Sequence, residues 1–383
     1  MACAERTVLF GAFDRHNLGD LLIAEVAASM LPQPFVFAGL VERDMTRYGG
    51  HMVKGISSLA FGADSTTRIF HCGGETLTCS NVQAAIMLLD PVEAGRIATR
   101  LETHPEQRED FASRITGTHC HAPYVLYRKD FPVNSKEIFH AVGGADLDLA
   151  EPALREEVYA KLSFADYVSV RDRVTLEHLR KAGIFAKLTP DPAVMTRELF
   201  GYRIACPEAA EILEGFTAGY IAIQFSADFD DDRTLCILAG QIDQVCDATG
   251  LGVVLFRAGA APWHDNLACY QRLSSKMNAR PLIFTSLDIW KICALISNSR
   301  LFCGSSLHGR IIANSFSVPA ISLVQDGSPK KIGAYFETWE GKPGTFHAQG
   351  IASGILAALD SAPAACPTSI YRNEFAHALS ACH

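Results

Sequence analysis

The segment of residues 301–310 combines small, hydroxyl and imidazole side chains where a strand should meet a helix. An apolar run leads into Ser305 and Ser306, and a helix is expected to start around His308 and Gly309. A helix N-terminus presents backbone N–H groups that favour anions, and two hydroxyls and an imidazole beside it would strengthen that preference. The segment therefore predicts an anion-binding site.

Arg171 lies at the C-terminal end of the predicted strand Tyr167–Val170. A guanidinium in that position can bind a carboxylate or a phosphate with two parallel hydrogen bonds. The alternative is that Arg171 and Asp172 only pair with each other and cap the following helix. The segment alone leaves both interpretations open.

Three further side chains are candidates for the same kind of ligand. Lys330 and Lys331 follow the last predicted strand of the second half and offer ammonium groups for the anion. His264 lies in a loop after the predicted strand Gly252–Arg257, which makes it a candidate binding or acid/base residue. A solvated loop is the alternative for His264.

Two turns in the first half contain residues that either bind a ligand or only shape the chain. In residues 11–20, Asn17 and Asp20 precede an amphipathic helix and either cap it or reach a ligand. Gly73 and Gly74 follow another strand, where glycine permits positive φ and close approach of the backbone to a ligand, although a tight turn needs the same residues. A dinucleotide-binding glycine fingerprint and a Walker loop are both missing, so NAD and ATP are poorly supported.

Short apolar runs that alternate with helical stretches are expected to position these segments, which is typical of a mainly parallel α/β sheet. The predicted strands are Thr7–Phe13, Phe35–Leu40, Arg68–Cys72, Tyr124–Tyr127, Ile138–Val142, Tyr167–Val170, Tyr220–Phe225, Gly252–Arg257, Pro281–Thr285, Arg300–Cys303 and Pro319–Val324. The predicted helices are Asp20–Leu31, Val82–Leu89, Pro152–Leu162, Val174–Ala182, Thr234–Asp247, Asn266–Met277, Ile289–Ser297, Arg310–Phe316, Ile351–Leu359 and Glu374–Leu379. The Pro-Asp-Pro at 190–192 separates the two halves, because proline disfavours continuing either element. We therefore expect domains over residues 1–195 and 196–345, a helical tail over 346–383, and a ligand-binding cleft between the domains.

Composition sets the class of protein. The chain has 383 residues, 49% of them hydrophobic, which suits two domains at roughly 100–200 residues each. A net charge of −8 argues against a general nucleic-acid binder. Glu5 and Arg6 interrupt any secretory leader, and no apolar run is long enough to span a membrane, so a cytoplasmic protein is expected. The 12 cysteines lack zinc spacing and indicate reduced thiols, and no metal is predicted.

Taken in order, these segments resemble the polysaccharide pyruvyl transferase family over about residues 7–336. The matching motifs are Asn17-Leu18-Gly19-Asp20, Cys72-Gly73-Gly74, Ser169-Val170-Arg171-Asp172 with Pro190-Asp191-Pro192, and Leu307-His308-Gly309 followed by Ala313 and Val318-Pro319. Lys330 or Lys331 falls where the family has a lysine. The order and spacing of the motifs, more than any one of them, carry the resemblance.

The resemblance implies a GT-B-like pair of Rossmann-type domains that transfers a pyruvyl group from phosphoenolpyruvate to sugar hydroxyls, forming a ketal. It implies a small-molecule donor and a saccharide acceptor, with the donor on the C-terminal domain and the acceptor on the N-terminal one, and no cofactor. His308 would bind the donor and supply a proton, and Arg171 would bind its anionic groups. Asp20, with His264 as the weaker candidate, would accept the proton of the acceptor hydroxyl. Neither the acceptor sugar nor the oligomeric state follows from the sequence, which leaves a homo-oligomer open.

The chain departs from the family pattern at Ser306, where many members carry a basic residue, usually Arg. A hydroxyl donates one hydrogen bond where a guanidinium gives a bidentate, charge-assisted contact. Arg310, one turn later, compensates only if it points back towards the ligand. Two alternatives therefore stay open: a GT-B glycosyltransferase that uses a nucleotide sugar, and a non-catalytic family member with a degraded donor site.

Overall fold

The computed structural model describes residues 6–61, 66–205, 215–341 and 344–381, so Glu5 lies outside the described residues. The chain divides into two compact units. The first comprises residues 1–192 and 367–383, and the second comprises residues 193–366. The sequence places the first boundary after residue 195, within the same short segment.

The first unit contains an eight-stranded sheet of order β3-β4-β2-β1-β5-β6-β7-β8. All neighbouring strands are parallel except β3 and β4. The strands are β1 (Arg6–Phe10), β2 (Phe35–Gly39), β3 (Arg43–Asp44), β4 (Met52–Gly55), β5 (Thr67–Cys72), β6 (Lys136–Val142), β7 (Tyr167–Val170) and β8 (Lys187–Leu188).

The second unit contains a fully parallel six-stranded sheet of order β11-β10-β9-β12-β13-β14. The strands are β9 (Tyr220–Gln224), β10 (Gly252–Phe256), β11 (Leu282–Phe284), β12 (Leu301–Gly304), β13 (Ala320–Leu323) and β14 (Thr345–Phe346). Every residue of β9 is buried, because helices cover both faces of a parallel sheet. This is why such strands read as continuous apolar runs rather than as alternating patterns.

Helices connect the strands of both units, as parallel pairing requires. Those among the described residues are α1 (Leu18–Met30), α2 (Asn81–Met87), α3 (Pro91–Thr103), α4 (Arg108–Thr116), α5 (Pro152–Leu162), α6 (Arg173–Lys181), α7 (Thr196–Ile204), α8 (Asp232–Thr249), α9 (Leu267–Lys276), α10 (Ile289–Ser297), α11 (Leu307–Ser315), α12 (Lys331–Trp339), α13 (Ile351–Leu359) and α14 (Thr368–Ser380). None of them is long and apolar enough to cross a membrane.

Each unit has its own hydrophobic core. In the second unit, Ile221, Ile223 and Leu255 from the sheet pack with Leu238 and Ile242 of α8. Burial of one such side chain is worth about 1.5–3 kcal/mol relative to leaving it in water. Packing of α8 against the sheet is therefore a main source of the stability of the second unit.

The predicted tail is divided between the two units rather than forming a separate element. Helix α13 belongs to the second unit, whereas α14 belongs to the first. In α14, the rings of Tyr371 and Phe375 pack 5.3 Å and 5.1 Å from that of His140, in the sheet of the first unit. These buried aromatic contacts explain why the end of the chain returns to the first unit.

The predicted elements differ from the structure in one strand that is absent and in several elements that were not predicted. The apolar run Tyr124–Tyr127 is not a strand, because Tyr124 is buried by its side chain, which donates to Asp14, and not by pairing in the sheet. The predicted elements also do not include helices α3, α4, α7 and α12 or the short strands β3, β4, β8 and β14. Helices α3 and α4, over residues 91–116, have charged sequences of low overall hydrophobicity.

Candidate functional site

The C-terminal ends of the strands in the second unit meet at one edge of its sheet, because all six strands are parallel. In α/β sheets, ligands bind at this edge. Gln224 ends β9, Gly304 ends β12, and the loop with His264 follows β10. The anion-binding segment predicted from the sequence therefore lies at the edge where a ligand site is expected.

The turn from β12 into α11, residues 304–306, is held tightly against the end of β9. The amide of Ser305 donates to the Gln224 carbonyl at 3.2 Å, and the amide of Ser306 donates to Gln224 Oε1 at 2.9 Å. A Cβ on Gly304 would lie 2.5 Å from the carbonyl oxygen of Gln224, so only glycine allows this approach. The position of the turn is thus set by Gln224.

Both serine hydroxyls of the turn accept a backbone hydrogen bond. Ser305 Oγ accepts from the amide of Ser226 at 2.9 Å, and Ser306 Oγ accepts from the amide of Gly309 at 3.1 Å, which makes Ser306 the N-cap of α11. A hydroxyl also carries one O–H donor. Both side chains are partly exposed, so each can offer that O–H to a ligand.

His308 is the second residue of α11 and is partly exposed. The next residue lies against the sheet, where a Cβ on Gly309 would come 2.5 Å from the ring of Phe302. Glycine at this position therefore lets the first turn of α11 pack closely on β12 and fixes the place of His308 at the sheet edge.

Asp265, in the loop after β10, makes three hydrogen bonds at the same edge. Its Oδ1 accepts from Gln224 Nε2 at 2.8 Å, and its Oδ2 accepts from the amides of Ala258 and Gly259 at 2.6 Å and 3.3 Å. Burial raises the pKa of Asp265 to about 7, although these hydrogen bonds oppose the shift. Asp265 therefore titrates near neutral pH.

The loops that carry His264 and Lys330 join the same cluster. The carbonyl of His264 accepts from the amide of Ala227, and its imidazole packs on Gly259, where a Cβ would lie 2.9 Å from the ring. After β13, Gln325 Nε2 donates to the carbonyl of Asp228, in the loop after β9. Hydrogen bonds thus tie the loops after β9, β10 and β13 together at the edge that the turn of α11 occupies.

The two predicted lysines lie at the start of α12. Lys330 is exposed and precedes the helix, and Lys331 is its first residue and partly exposed. They place two positive charges directly after a loop whose other charged residue is Asp326.

Arg310 does not point towards the turn. Its guanidinium is buried, bound to Glu340 Oε2 at 2.6 Å and to the carbonyl of Gly344 at 3.0 Å, and it stacks 3.6 Å from the centroid of the Phe336 ring. The structure therefore does not support the hypothesis that Arg310 substitutes for the basic residue that many family members carry at the position of Ser306.

In the first unit, the turn of residues 11–20 is used for internal contacts. Asn17 caps α1 by accepting from the amides of Gly19 and Asp20 at 2.9 Å and 3.3 Å. Asp20 lies in the first helical turn, 3.7 Å from Arg15, with 9% of its side chain exposed. Asn17 and Gly19 thus form the cap, while Asp20 is shielded and keeps its role as a base only as a prediction.

Asp14 in the same turn is fully buried. Its Oδ2 accepts from the amides of Leu40 and Val41, and its Oδ1 accepts from Tyr124. Burial raises the pKa of Asp14. A Cβ on Gly39 would lie 2.6 Å from this carboxylate, so glycine makes room for it.

Arg171 lies at the end of β7 and is 1% exposed. It binds Asp191 at 2.9 Å through Nη1 and Glu75 at 2.6 Å through Nη2. Burial lowers the pKa of Arg171, but the two carboxylates outweigh that effect and raise it. The geometry does not support Arg171 as a ligand for the donor; it is the cation of a buried ion cluster.

Gly73 and Gly74 form the tight turn that places Glu75 in this cluster. Gly73 has φ +143°, and the carbonyl of Gly74 accepts from the amides of Thr76 and Gly143. A Cβ on Gly143 would lie 2.6 Å from Glu75 Oε2. These glycines therefore serve the packing of the ion cluster, which is the structural alternative that the sequence left open.

Two side chains at the edge of the second sheet were not identified from the sequence. Gln224 is an ordinary polar residue at a strand end, and Asp265 follows the candidate His264 directly. A polar residue that ends an otherwise apolar strand was the available signal for Gln224. Asp265 gave no signal of its own, because its partners are distant in sequence.

Chemically, the edge of the second sheet offers O–H and N–H donors, an imidazole and nearby lysines, which suits an anionic ligand. A cysteine nucleophile does not fit, because burial raises the pKa of Cys303, on β12, to about 12. The described parts of the chain contain no group of three His, Cys, Asp or Glu side chains arranged to hold a metal ion.

Solved structures that resemble this chain in fold include nucleotide-sugar enzymes. MnaA of S. aureus in complex with UDP gives a TM-score of 0.57 at 11% identity, with 98% of this chain and 96% of that chain covered. UDP-GlcNAc 2-epimerase of Methanocaldococcus jannaschii, in complex with UDP-GlcNAc and UDP, gives 0.54 at 9% identity and covers 98% and 100%. UDP-GlcNAc 2-epimerase of Neisseria meningitidis bound to UDP-GlcNAc gives 0.53 at 9% and covers 98% and 99%. The predicted GT-B-like fold of two Rossmann-like α/β domains is confirmed.

Sequence comparison gives the family. No curated protein matches the chain in sequence. The family model of polysaccharide pyruvyl transferases matches residues 117–327, more than half of the chain. The matched segment includes Arg171, Asp265 and the whole turn into α11. The resemblance drawn from the motifs is confirmed, and the chain belongs to the polysaccharide pyruvyl transferase family.

Proposed function

We propose that the protein transfers a pyruvyl group from phosphoenolpyruvate to two hydroxyls of a saccharide, forming a ketal and releasing phosphate. The observation that carries the proposal is the turn into α11, where Ser305 and Ser306 each accept a backbone hydrogen bond and keep an O–H donor. Membership of the family makes the anionic donor the natural ligand of this turn.

The reaction balances without an oxidant or a reductant. A proton adds to the methylene carbon of phosphoenolpyruvate and turns it into a methyl group, and the oxocarbenium-like carbon that results is attacked by the first hydroxyl. The second hydroxyl attacks the same carbon as the C–O bond to phosphate breaks. Two hydroxyl protons are released, one of which replaces the proton used, and the other leaves with phosphate or to solvent.

His308 suits the acid of the first step. An imidazole can act as a general acid, and this one lies in the first turn of α11, which Ser306 caps. The positive end of the helix dipole and the amides of that turn stabilise the carboxylate or the phosphate of the donor. Lys330 and Lys331, exposed and partly exposed at the start of α12, add positive charge to the second unit, whereas Arg310 is buried against Glu340.

A nucleotide-sugar reaction is the second candidate, because solved structures of similar fold include ones that hold UDP or UDP-GlcNAc. A member with a degraded donor site is the third, based on Ser306. The three candidates differ in which ligand binds the second unit.

Thermal unfolding in the presence of ligands separates them. The three tryptophans, Trp263, Trp290 and Trp339, all belong to the second unit, so their fluorescence follows the unfolding of that unit. Phosphoenolpyruvate should raise the unfolding temperature of the wild type and not that of His308→Ala, since binding stabilises by RT ln(1 + [L]/Kd). If UDP-GlcNAc or a GDP-sugar stabilises the protein and phosphoenolpyruvate does not, the proposal is contradicted. If none of these ligands stabilises the protein, the result supports a degraded donor site.

A further inference from the structure

We propose that Asp265 and Gln224 are positioning residues of the donor site, and that Asp265 sets the direction of a hydrogen-bond chain that ends at the turn carrying His308. The chain runs from Asp265 Oδ1 to Gln224 Nε2 at 2.8 Å, and from Gln224 Oε1 to the amide of Ser306 at 2.9 Å. Its link to the donor rests on the proposed function, whereas its effect on the turn does not.

The direction of the chain follows from which groups accept and which donate. Ionised Asp265 only accepts, so the amide of Gln224 must turn its NH₂ towards Asp265 and its oxygen towards Ser306. The N–H of Ser306 can only donate, and it needs that oxygen. The opposite orientation of Gln224 would place two donors face to face at Ser306 and two acceptors face to face at Asp265.

Gln224 has little freedom to relieve such a mismatch. It is 2% exposed, and its own carbonyl accepts from the amide of Ser305. A buried polar group that loses its partner costs more than the hydrogen bond itself contributes, because no water replaces it. The chain therefore acts as a unit that fixes both backbone amides of the turn.

Protonation of Asp265 would affect the hydrogen-bond chain through its Oδ1 atom. Its Oδ2 is occupied by the amides of Ala258 and Gly259. The charged or titratable groups that act on it are Arg257, at the end of β10, and Tyr270 and Cys269, on α9. A proton on Oδ1 would face the NH₂ of Gln224, donor against donor, and would disturb the chain.

The position of the turn affects binding of the substrate that donates the pyruvyl group, because the serine hydroxyls and the start of α11 both depend on it. Ser306 caps α11 through its side chain and begins the helix that carries His308. A displaced Ser306 would shift both hydroxyls and the first helical turn relative to the donor. A misplacement of about 1 Å in such a site can weaken function strongly.

The test exchanges the carboxylate of Asp265 and the side-chain amide of Gln224. Asp265→Asn retains the shape but adds a donor that faces Gln224, which puts two donors together at one end of the chain. Asp265→Asn combined with Gln224→Glu restores the direction, since the NH₂ introduced at position 265 would donate to one oxygen of the carboxylate introduced at position 224, and the N–H of Ser306 would donate to the other. The double variant also keeps the net charge of the wild type.

Amide hydrogen exchange over residues 301–310, in protein that folds normally by tryptophan fluorescence, gives the direct readout. We expect about tenfold faster exchange in Asp265→Asn and a return to within about threefold of the wild type in the double variant. Asp243→Asn is the matched control, because Asp243 is also buried, on α8, and accepts from the amides of Asn278 and Ala279 before β11. That control should leave exchange over 301–310 unchanged.

Phosphoenolpyruvate affinity in the same variants tests the link to the donor. The dissociation constant should rise about tenfold in Asp265→Asn, recover in the double variant, and stay at the wild-type value in Asp243→Asn. If Asp265→Asn leaves exchange over 301–310 unchanged, or the double variant fails to restore it, the positioning role is overturned. If exchange follows the prediction but the wild type does not bind phosphoenolpyruvate, the proposed function fails and the positioning role stands.

Discussion

The C-terminal strand ends of the two units use charge in opposite ways. In the first unit, Arg171 is buried between Glu75 and Asp191, so that its charge is already neutralised. In the second unit, the partly exposed Ser305 and Ser306 use their oxygen atoms to hold the backbone and keep their O–H groups available. The comparison shows that the most strongly charged residue of a family motif can be held in a buried ion cluster, while weaker hydrogen-bond donors lie on a partly exposed turn.

The same contrast holds for the two arginines that the sequence proposed for the donor. Arg171 and Arg310 are both buried and both paired with carboxylates, Arg310 with Glu340. Desolvated guanidinium groups need such partners, because an unpaired buried charge is very unfavourable. Lys330 and Lys331, at the start of α12, lie at the surface of the second unit instead, Lys330 exposed and Lys331 partly exposed.

The largest expected effect separates the buried ion cluster from the open turn. Arg171→Ala leaves Glu75 and Asp191 without their cation, and it should destabilise the first unit by about 3–5 kcal/mol. Chemical denaturation followed by circular dichroism measures the loss. Arg180→Ala is the matched control, because Arg180 pairs with Glu177 at the surface, and its effect should be far smaller than that of Arg171→Ala. Equal effects of the two variants would show that the cluster contributes no more than a surface pair.

The second effect is a pH dependence of the free energy of unfolding of the second unit, which comes from Asp265. Its pKa of about 7 in the folded protein exceeds the value of about 3.9 expected in the unfolded chain, so the folded state holds one more proton between these values. The stability from this group is present below about pH 4 and is lost as the pH rises through about 7, by at most about 1.4 kcal/mol per pH unit. Tryptophan fluorescence during urea unfolding measures it in the second unit.

Asp265→Asn should remove this part of the slope, while the contribution of all other groups stays. The difference in unfolding free energy between wild type and variant therefore has to change between pH 4 and pH 7 by more than it does above pH 8. A constant difference across the whole range would mean that Asp265 is not protonated in the folded protein at neutral pH.

The third effect tests the open turn itself. His308→Ala should weaken phosphoenolpyruvate binding about tenfold or more, since a hydrogen bond to a charged group contributes about 1.5–3 kcal/mol. Isothermal titration calorimetry gives the affinity, and the unfolding free energy of the second unit should change by less than about 1 kcal/mol. His178→Ala, on α6 of the first unit, serves as the control and should bind like the wild type. A loss of stability as large as that for Arg171→Ala would assign His308 to the packing instead.

The smallest effect separates the two uses of Ser306. Ser306→Ala removes the N-cap of α11 and should cost about 1 kcal/mol in stability. Ser306→Asp keeps a capping oxygen but adds a negative charge, so stability should be retained while phosphoenolpyruvate affinity falls. If Ser306→Asp binds phosphoenolpyruvate as well as the wild type, the hydroxyl of Ser306 does not face the anion.

The fold could be predicted from the sequence because buried parallel strands leave long apolar runs. Strands such as Phe35–Gly39 and Tyr220–Gln224 are found within one or two residues of their predicted positions. The run at residues 124–127 has the same apolar character but is buried in a loop, through the bond from Tyr124 to Asp14. Apolar composition reports burial, and it does not report whether the backbone pairs in a sheet.

The site could be predicted in part. The turn of residues 301–310 is recognisable because its small residues, hydroxyls and imidazole are adjacent in the sequence. Arg171 and its partner Glu75 are 96 positions apart, so their pairing depends on tertiary structure. Gln224 and Asp265 could not be connected to Ser306 for the same reason.

The central claim is that the anionic donor binds at the turn into α11. Amide hydrogen exchange of the wild-type protein, with and without phosphoenolpyruvate, tests it most directly, because each peptide reports its own position. The account predicts slower exchange in peptides that cover residues 301–315 and unchanged exchange in those around Arg171. Protection around Arg171 with none at residues 301–315 would contradict the account and would place the donor in the first unit.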